Sequence, residues 1–192
     1  MKKKGRFIVF EGIDGAGKSR QIEYTKAWFE KQGFEVVVTR EPGGTDIGAK
    51  IRGLLLDPAN DAMADLTELL LYAADRVQHI EETIVPALES RKVVLCDRFS
   101  LSTVAYQGYG RGLDTAAIEK LNALAVGETE PDLTFILDIK PQRARGRIAK
   151  NRGEAPDRLE QEQDDFFTRV RQGYLDNAHC CVVIDADREP DV

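Results

Sequence analysis

The sequence predicts an α/β fold, a parallel sheet of five strands flanked by helices, and three observations carry that prediction. Five short apolar, β-rich runs recur along the chain at Phe7 to Phe10, Phe34 to Val38, Val93 to Cys96, Leu133 to Leu137 and Cys181 to Ile184. Helix-like segments separate them, which implies crossover connections and strands covered on both faces. A glycine-rich stretch, FEGIDGAGKSR, directly follows the first run. A strand, a glycine loop and a helix in that order build a site for an anion, because a loop without side chains exposes a concave row of backbone N–H groups.

The intervening segments support the same architecture. After the first run and the loop, RQIEYTKAWFEKQG has helical character. Between the second and third runs, Leu66, Leu70, Ala73, Val77, Ile80 and Ile84 recur at helical spacing, and Pro86 is expected to end or kink that helix. Between the third and fourth runs, Asp114 is a candidate N-cap for a helix to Val126 with Ile118, Leu121 and Ala125 on one face and Gly127 past its end. No repeat, linker or low-complexity tract interrupts the 192 residues, so one domain is expected over 1–192.

Composition narrows the function. A formal net charge of −6 argues against a general nucleic-acid or anionic-membrane binder, so any anion site must be local. No apolar run approaches the roughly 20 residues needed to cross a bilayer, and MKKKGRFIVF has a basic start without the apolar core of a signal peptide. A cytoplasmic protein is expected. Cys96, Cys180 and Cys181 show neither metal-ligand spacing nor a paired framework, which favours reduced thiols. His79 and His179 read as structural or surface residues.

Gly12 to Ser19 matches G-x-x-x-x-G-K-[ST]. Gly12, Ile13, Asp14, Gly15, Ala16 and Gly17 form the loop, Lys18 supplies a positive point charge, the Ser19 hydroxyl suits Mg²⁺, and Arg20 follows on the helix. A dinucleotide-binding turn is the weaker alternative, because its G-x-G-x-x-G spacing is absent. The third strand ends in VVLCDR, where Asp97 is placed to approach Mg²⁺ directly or through water and Arg98 to hold a second phosphate. The second strand leads into TREPGGT, and Arg40 at its carboxyl end should face the same crevice. There is no N-K-x-D segment for reading guanine.

Taken together, FEGIDGAGKS, REPGGT, LLLYAADR, DRFSLSTVAYQG, PDLTFILD and DRLEQEQDDFF resemble the bacterial type of the thymidylate kinase family, from Phe7 to about Ile184. The resemblance implies a P-loop nucleoside monophosphate kinase fold with a lid over about 140–156, and transfer of the γ-phosphoryl of ATP to dTMP with Mg²⁺. It implies that Arg40 and Arg98 hold the dTMP phosphate, that Asp14 approaches the sugar 3′-hydroxyl, and that Arg52, Tyr72, Arg76, Thr103 and Gln107 line the acceptor pocket. Tyr72 stands where the family more often has Phe, and Arg20 where it commonly has Thr. The basic run KPQRARGRIAKNR is expected to be the lid, because Gly15 and Ala16 occupy loop positions where related eukaryotic enzymes carry an arginine. Within it Arg152 is the first choice for the catalytic cation, followed by Arg147 and Lys150. A homodimer is implied, and the family's closing helix is expected to be shortened or missing here. The rivals are a kinase preferring dUMP or dCMP, and a regulatory ATPase with no acceptor.

Overall fold

The apolar runs become strands β1 (Arg6–Glu11), β2 (Val36–Arg40), β3 (Val93–Asp97), β4 (Leu133–Asp138) and β5 (Val182–Asp185) in a computed structural model that describes residues 5–151 and 156–188. They form one sheet in the order β2–β3–β1–β4–β5, and every pairing is parallel. The register brings Phe10 beside Asp97 and Arg40 beside Asp97, so the carboxyl ends of the three strands that bear the charged motifs are level. β1 and β3 are buried along nearly their whole length, as continuous apolar strands in a parallel sheet must be, whereas β2 and β5 at the edges are half-covered. The second strand starts two residues later than its apolar run, because Phe34 lies in the preceding turn and packs edge-on against Phe29.

The helices are α1 (Lys18–Lys31), α2 (Asp46–Leu56), α3 (Asp65–His79), α4 (Val85–Glu89), α5 (Ser100–Thr103), α6 (Thr115–Val126), α7 (Pro141–Asn151) and α8 (Asp164–Asp176). Asp114 caps α6 by accepting from the Ala116 N–H, and Gly127 with φ of 56° closes it, as its sequence predicts. One core cluster lies between the sheet and α1, α7 and α8, with Ile8, Phe10, Leu95, Ile136 and Tyr174 at its centre. A second, around Phe7, Val94, Ile84 and Phe99, fills the opposite face. Each such side chain contributes about 1.5–3 kcal/mol by leaving water.

Two stretches depart from the helical period. Ile80–Ile84 and Val104–Gly110 are π-helical, each with a widened turn. The first joins α3 to α4, so Pro86 sits in the opening turn of α4 and does not end the helix, which runs on to Glu89. The apolar series is not buried as one stripe: Ala73, Ile80 and Ile84 are buried, whereas Leu66, Leu70 and Val77, all on α3 before the widened turn, are exposed. The second continues α5 and carries Tyr106 and Gln107 into the interior.

Candidate active site

The phosphate loop lies between β1 and α1, with Gly12, Gly15 and Gly17 all at positive φ. Gly15 has a further constraint: a Cβ there would lie 2.5 Å from the Ala144 carbonyl oxygen, so α7 can rest on the loop only over a glycine. Gly17 caps α1 in a left-handed conformation, without a side-chain cap hydrogen bond among the described residues. Ile13 and Ala16 are buried and fix the loop to the core, while Ser19 is exposed at the start of α1. The Lys18 ammonium folds back over the loop, donating to the carbonyls of Gly12 at 3.0 Å and Ile13 at 3.3 Å. It also lies 3.8 Å from both Asp14 and Asp97. Burial, with Arg98 nearby, lowers the Lys18 pKa against the pull of the two aspartates.

Asp97 ends β3, and its Oδ1 is buried without a hydrogen-bond partner among the described residues. An orphaned carboxylate oxygen next to a phosphate-loop lysine is the kind of acceptor a hard cation or its water shell satisfies. The described residues contain no cluster of three or more His, Cys, Asp or Glu able to hold a metal ion alone.

Arg98 is held from several sides. Its backbone takes a left-handed φ of 74°, uncommon for a residue with a Cβ. Its guanidinium donates to the Gly12 carbonyl at 2.9 Å, to Asp14 at 2.8 Å and to the Tyr174 hydroxyl at 3.1 Å, and lies 5.0 Å from the centre of the Tyr106 ring. Behind it, buried Glu11 accepts from the N–H of Phe99 at 2.9 Å, from the Ser102 hydroxyl at 2.5 Å and from the Tyr174 hydroxyl at 3.1 Å. Burial raises the Glu11 pKa, and these donors and Arg98 work against that rise. Burial also acts to raise the Asp14 pKa, but Arg98 and Lys18 overcome it and hold that carboxyl far below the ordinary range.

A pocket opens beside Arg98, and Asp14, Arg40, Arg52, Tyr72, Arg76, Thr103 and Gln107 all line it. The structure therefore brings together every residue expected to meet the acceptor. Arg40 is exposed at the end of β2, and Arg52 reaches back from α2 to the Pro42 carbonyl at 3.1 Å. Arg76 is almost wholly buried. It donates to Glu41 at 2.8 Å, Asn122 at 2.8 Å, the Phe99 carbonyl at 3.1 Å and Thr103 at 3.0 Å, so most of its donors already serve the protein. His79, on the same helix, is structural: it bridges Glu41 at 2.9 Å and Thr39 at 2.6 Å. A Cβ on Gly44 would meet its ring at 2.5 Å, which explains the second glycine of REPGGT.

The basic segment forms α7, against the phosphate loop. Arg147 reaches both the Gly15 carbonyl, at 3.5 Å, and the Arg188 carbonyl, at 3.3 Å. Arg145 pairs with Asp164 at 2.8 Å and Lys150 is exposed. Arg152 lies outside the described residues. Arg20 is exposed on α1, bonded to the Tyr24 hydroxyl at 2.9 Å and set over its ring.

Sequence reasoning missed Glu11, Glu41, Glu68, Ser102, Tyr106 and Tyr174 as members of the site. Glu11 and Glu41 stand inside FEGIDGAGKS and REPGGT, and a buried carboxylate inside a glycine motif was a usable signal. Tyr174 carried none, since its partners are 72 to 163 residues away.

The profile of the family described as Thymidylate kinase matches residues 10–192. A thymidylate kinase of Halothermothrix orenii is 52% identical over 191 residues, covering 96% of this chain and 90% of that protein. One from Desulfosudis oleivorans is 51% identical over 189 residues, covering 94% and 88%. The crystal structure of thymidylate kinase from Ehrlichia chaffeensis superposes with a TM-score of 0.72 at 37% identity, covering 95% of this chain and 91% of that one. With a phosphate loop, an arginine-lined pocket beside it and half-identical relatives spanning nearly its whole length, this chain belongs to the thymidylate kinase family.

Proposed function

We propose that the phosphate loop holds ATP, that the pocket beside it holds dTMP, and that the γ-phosphoryl passes directly between them in the family's reaction, ATP and dTMP to ADP and dTDP. The observation that carries this reading is one carboxylate. Asp14 Oδ1 lies 2.8 Å from Arg98 and 3.8 Å from Lys18, so the acceptor's arginine and the donor's lysine flank a single group. Two anions brought there meet phosphate to phosphate.

In this mechanism the loop amides and Lys18 bind the β- and γ-phosphates, and Arg40 and Arg98 orient the acceptor phosphate for in-line attack. The acceptor is already an anion, so no general base is needed. Arg98 needs little reorganisation, because Asp14, Tyr174 and Gly12 already fix its fork. Arg147 and Arg152, on the lid segment 140–156 of a single domain, balance the charge that develops on the transferred group. Asp97, whose buried Oδ1 accepts no hydrogen bond from the described residues, and Ser19 would hold Mg²⁺, which when bound neutralises charge on the β- and γ-phosphates. Asp14 meets the sugar hydroxyl, Tyr72 stacks on the base, and Arg52, Arg76, Thr103 and Gln107 complete the pocket.

Two copies of the chain associate through α2 and α3. Ile47 and Leu54 on α2 and Leu66, Leu70 and Val77 on α3 remain exposed at spacings that place them on one face of each helix, and the two helices pack side by side. No helix among the described residues is long and apolar enough to cross a membrane. The free cysteines suit a reducing compartment, the cytoplasm.

Steady-state rates with ATP, Mg²⁺ and a panel of monophosphates test the assignment. ADP formation is expected to require dTMP. Release that is indifferent to dTMP, or equal turnover of dCMP, refutes it.

A further inference from the structure

Gln107 is one of the most buried polar residues of the pocket, and its side-chain amide is already committed on one side. Its Nε2 donates to Glu68 Oε1 at 2.8 Å. Glu68, on α3, is fully buried and also accepts from Arg111 at 3.1 Å and 3.3 Å and from Arg158 at 2.5 Å. Burial would raise the Glu68 pKa, yet the hydrogen bonds from Arg111 and Gln107 hold it below its ordinary value. The group is therefore an ionised carboxylate, which accepts hydrogen bonds and donates none. Turning the Gln107 amide over would set its carbonyl against a carboxylate oxygen at hydrogen-bond distance, a contact between two acceptors. Only one orientation is left, with the NH₂ on Glu68 and the carbonyl free. No hydrogen bond reaches that carbonyl from the described residues, and Gln107 lines the acceptor pocket.

We propose that Glu68 is a positioning residue for base selection: it locks the Gln107 amide with its carbonyl toward the pocket, so the site accepts a pyrimidine that donates N3–H and rejects one whose N3 is an acceptor. Thymine and uracil carry N3–H, whereas cytosine presents a lone pair there. The proposal rests on the reading of this pocket as the site of the acceptor base. It deepens that reading, because it names the residue behind the pocket wall that sets the polarity of the wall.

Glu68→Gln tests it directly. The new amide would keep its oxygen on Arg158 and Arg111 and turn its NH₂ to Gln107, which must then flip and point its own NH₂ at the base. The ratio of kcat/KM for dTMP to that for dCMP is expected to fall by about tenfold to a hundredfold, the effect of mispairing one buried polar group, equal to about 1.4–2.7 kcal/mol. The change should appear mainly in the KM for dTMP and dUMP, and the KM for ATP should stay as it is. An unchanged ratio in a folded variant overturns the proposal. Glu68→Gln weakens two arginine contacts as well, so the exchanged pair Glu68→Gln with Gln107→Glu supplies the second arm. It keeps the net charge and again offers the pocket an acceptor, so a preference for dTMP close to that of the wild type is expected. Loss of the preference in the exchanged pair overturns the proposal whether or not the single variant folds. Gln107→Leu separates the two levels. If it leaves the KM for dTMP unchanged, the pocket does not hold the base. If it raises that KM while Glu68→Gln keeps the wild-type ratio, only the role of Glu68 falls.

Discussion

Removing one oxygen, in Tyr174→Phe, tests how the acceptor arginine is held. The Tyr174 hydroxyl lies 2.8 Å from Ser102 Oγ, 3.1 Å from Glu11 Oε2 and 3.1 Å from Arg98 Nη1, in a side chain that is 1% exposed. Two of those contacts involve charged groups, each typically worth about 1.5–3 kcal/mol, but they share one oxygen and do not add. Glu11 keeps its bonds to Ser102 and to the Phe99 N–H, so a total loss of about 2–3 kcal/mol is expected. For a chain of this size that lowers Tm by about 4–12 °C. Arg98 keeps Gly12 and Asp14 but loses its third restraint, which should raise the KM for dTMP about threefold to tenfold and leave that for ATP unchanged. Thermal unfolding followed by circular dichroism, with initial rates at varied dTMP, measures both. A Tm within about 1 °C of the wild type, with an unchanged KM for dTMP, would show that the Tyr174 hydroxyl plays no part in holding Arg98.

Lys18→Ala is expected to lower kcat by at least about a hundredfold, as loss of a preorganised charge on the transferred group does, and quenched-flow measurement of dTDP formation checks it. Glu68 has a depressed pKa in the fold, so the unfolded chain takes up its proton first. Its contribution is therefore complete above about pH 4.3 and is lost as the pH falls below that value; urea unfolding from pH 6 to pH 3 should show a shallower loss in Glu68→Gln than in the wild type. Leu70→Glu puts a charge into the exposed α2–α3 stripe and should convert a dimer to a monomer in sedimentation equilibrium, with the melting temperature of the isolated fold retained.

The sheet was legible because parallel strands buried on both faces are written as unbroken apolar runs, and all five runs became strands. The edge was less so: the second strand begins at Val36 because Phe34 is drawn to Phe29, a preference no run of apolar letters reveals. The long helix is legible as apolar residues at helical spacing. A 3.6-residue period gives no sign of the π turn at Ile80–Ile84, nor that Leu66, Leu70 and Val77, which precede it on α3, stay exposed. The pocket was legible wherever a charged residue sat in a glycine motif or at a strand end, as with Asp14, Arg40, Asp97 and Arg98. The residues that hold these in place were hidden, since Glu11 meets Tyr174 across 163 positions and Glu68 meets Arg158 across 90. Spacing within a motif records what touches the ligand, and carries nothing about what supports it from a distant helix.

The account depends on two phosphate chains converging on Lys18, Asp14 and Arg98. A bisubstrate probe, adenosine and thymidine joined through their 5′ positions by five phosphates, tests that convergence most directly. It should inhibit competitively against both ATP and dTMP, and Arg98→Ala should weaken it together with dTMP. Inhibition that is competitive against ATP but noncompetitive against dTMP would place the two nucleotides in separate sites and contradict the account.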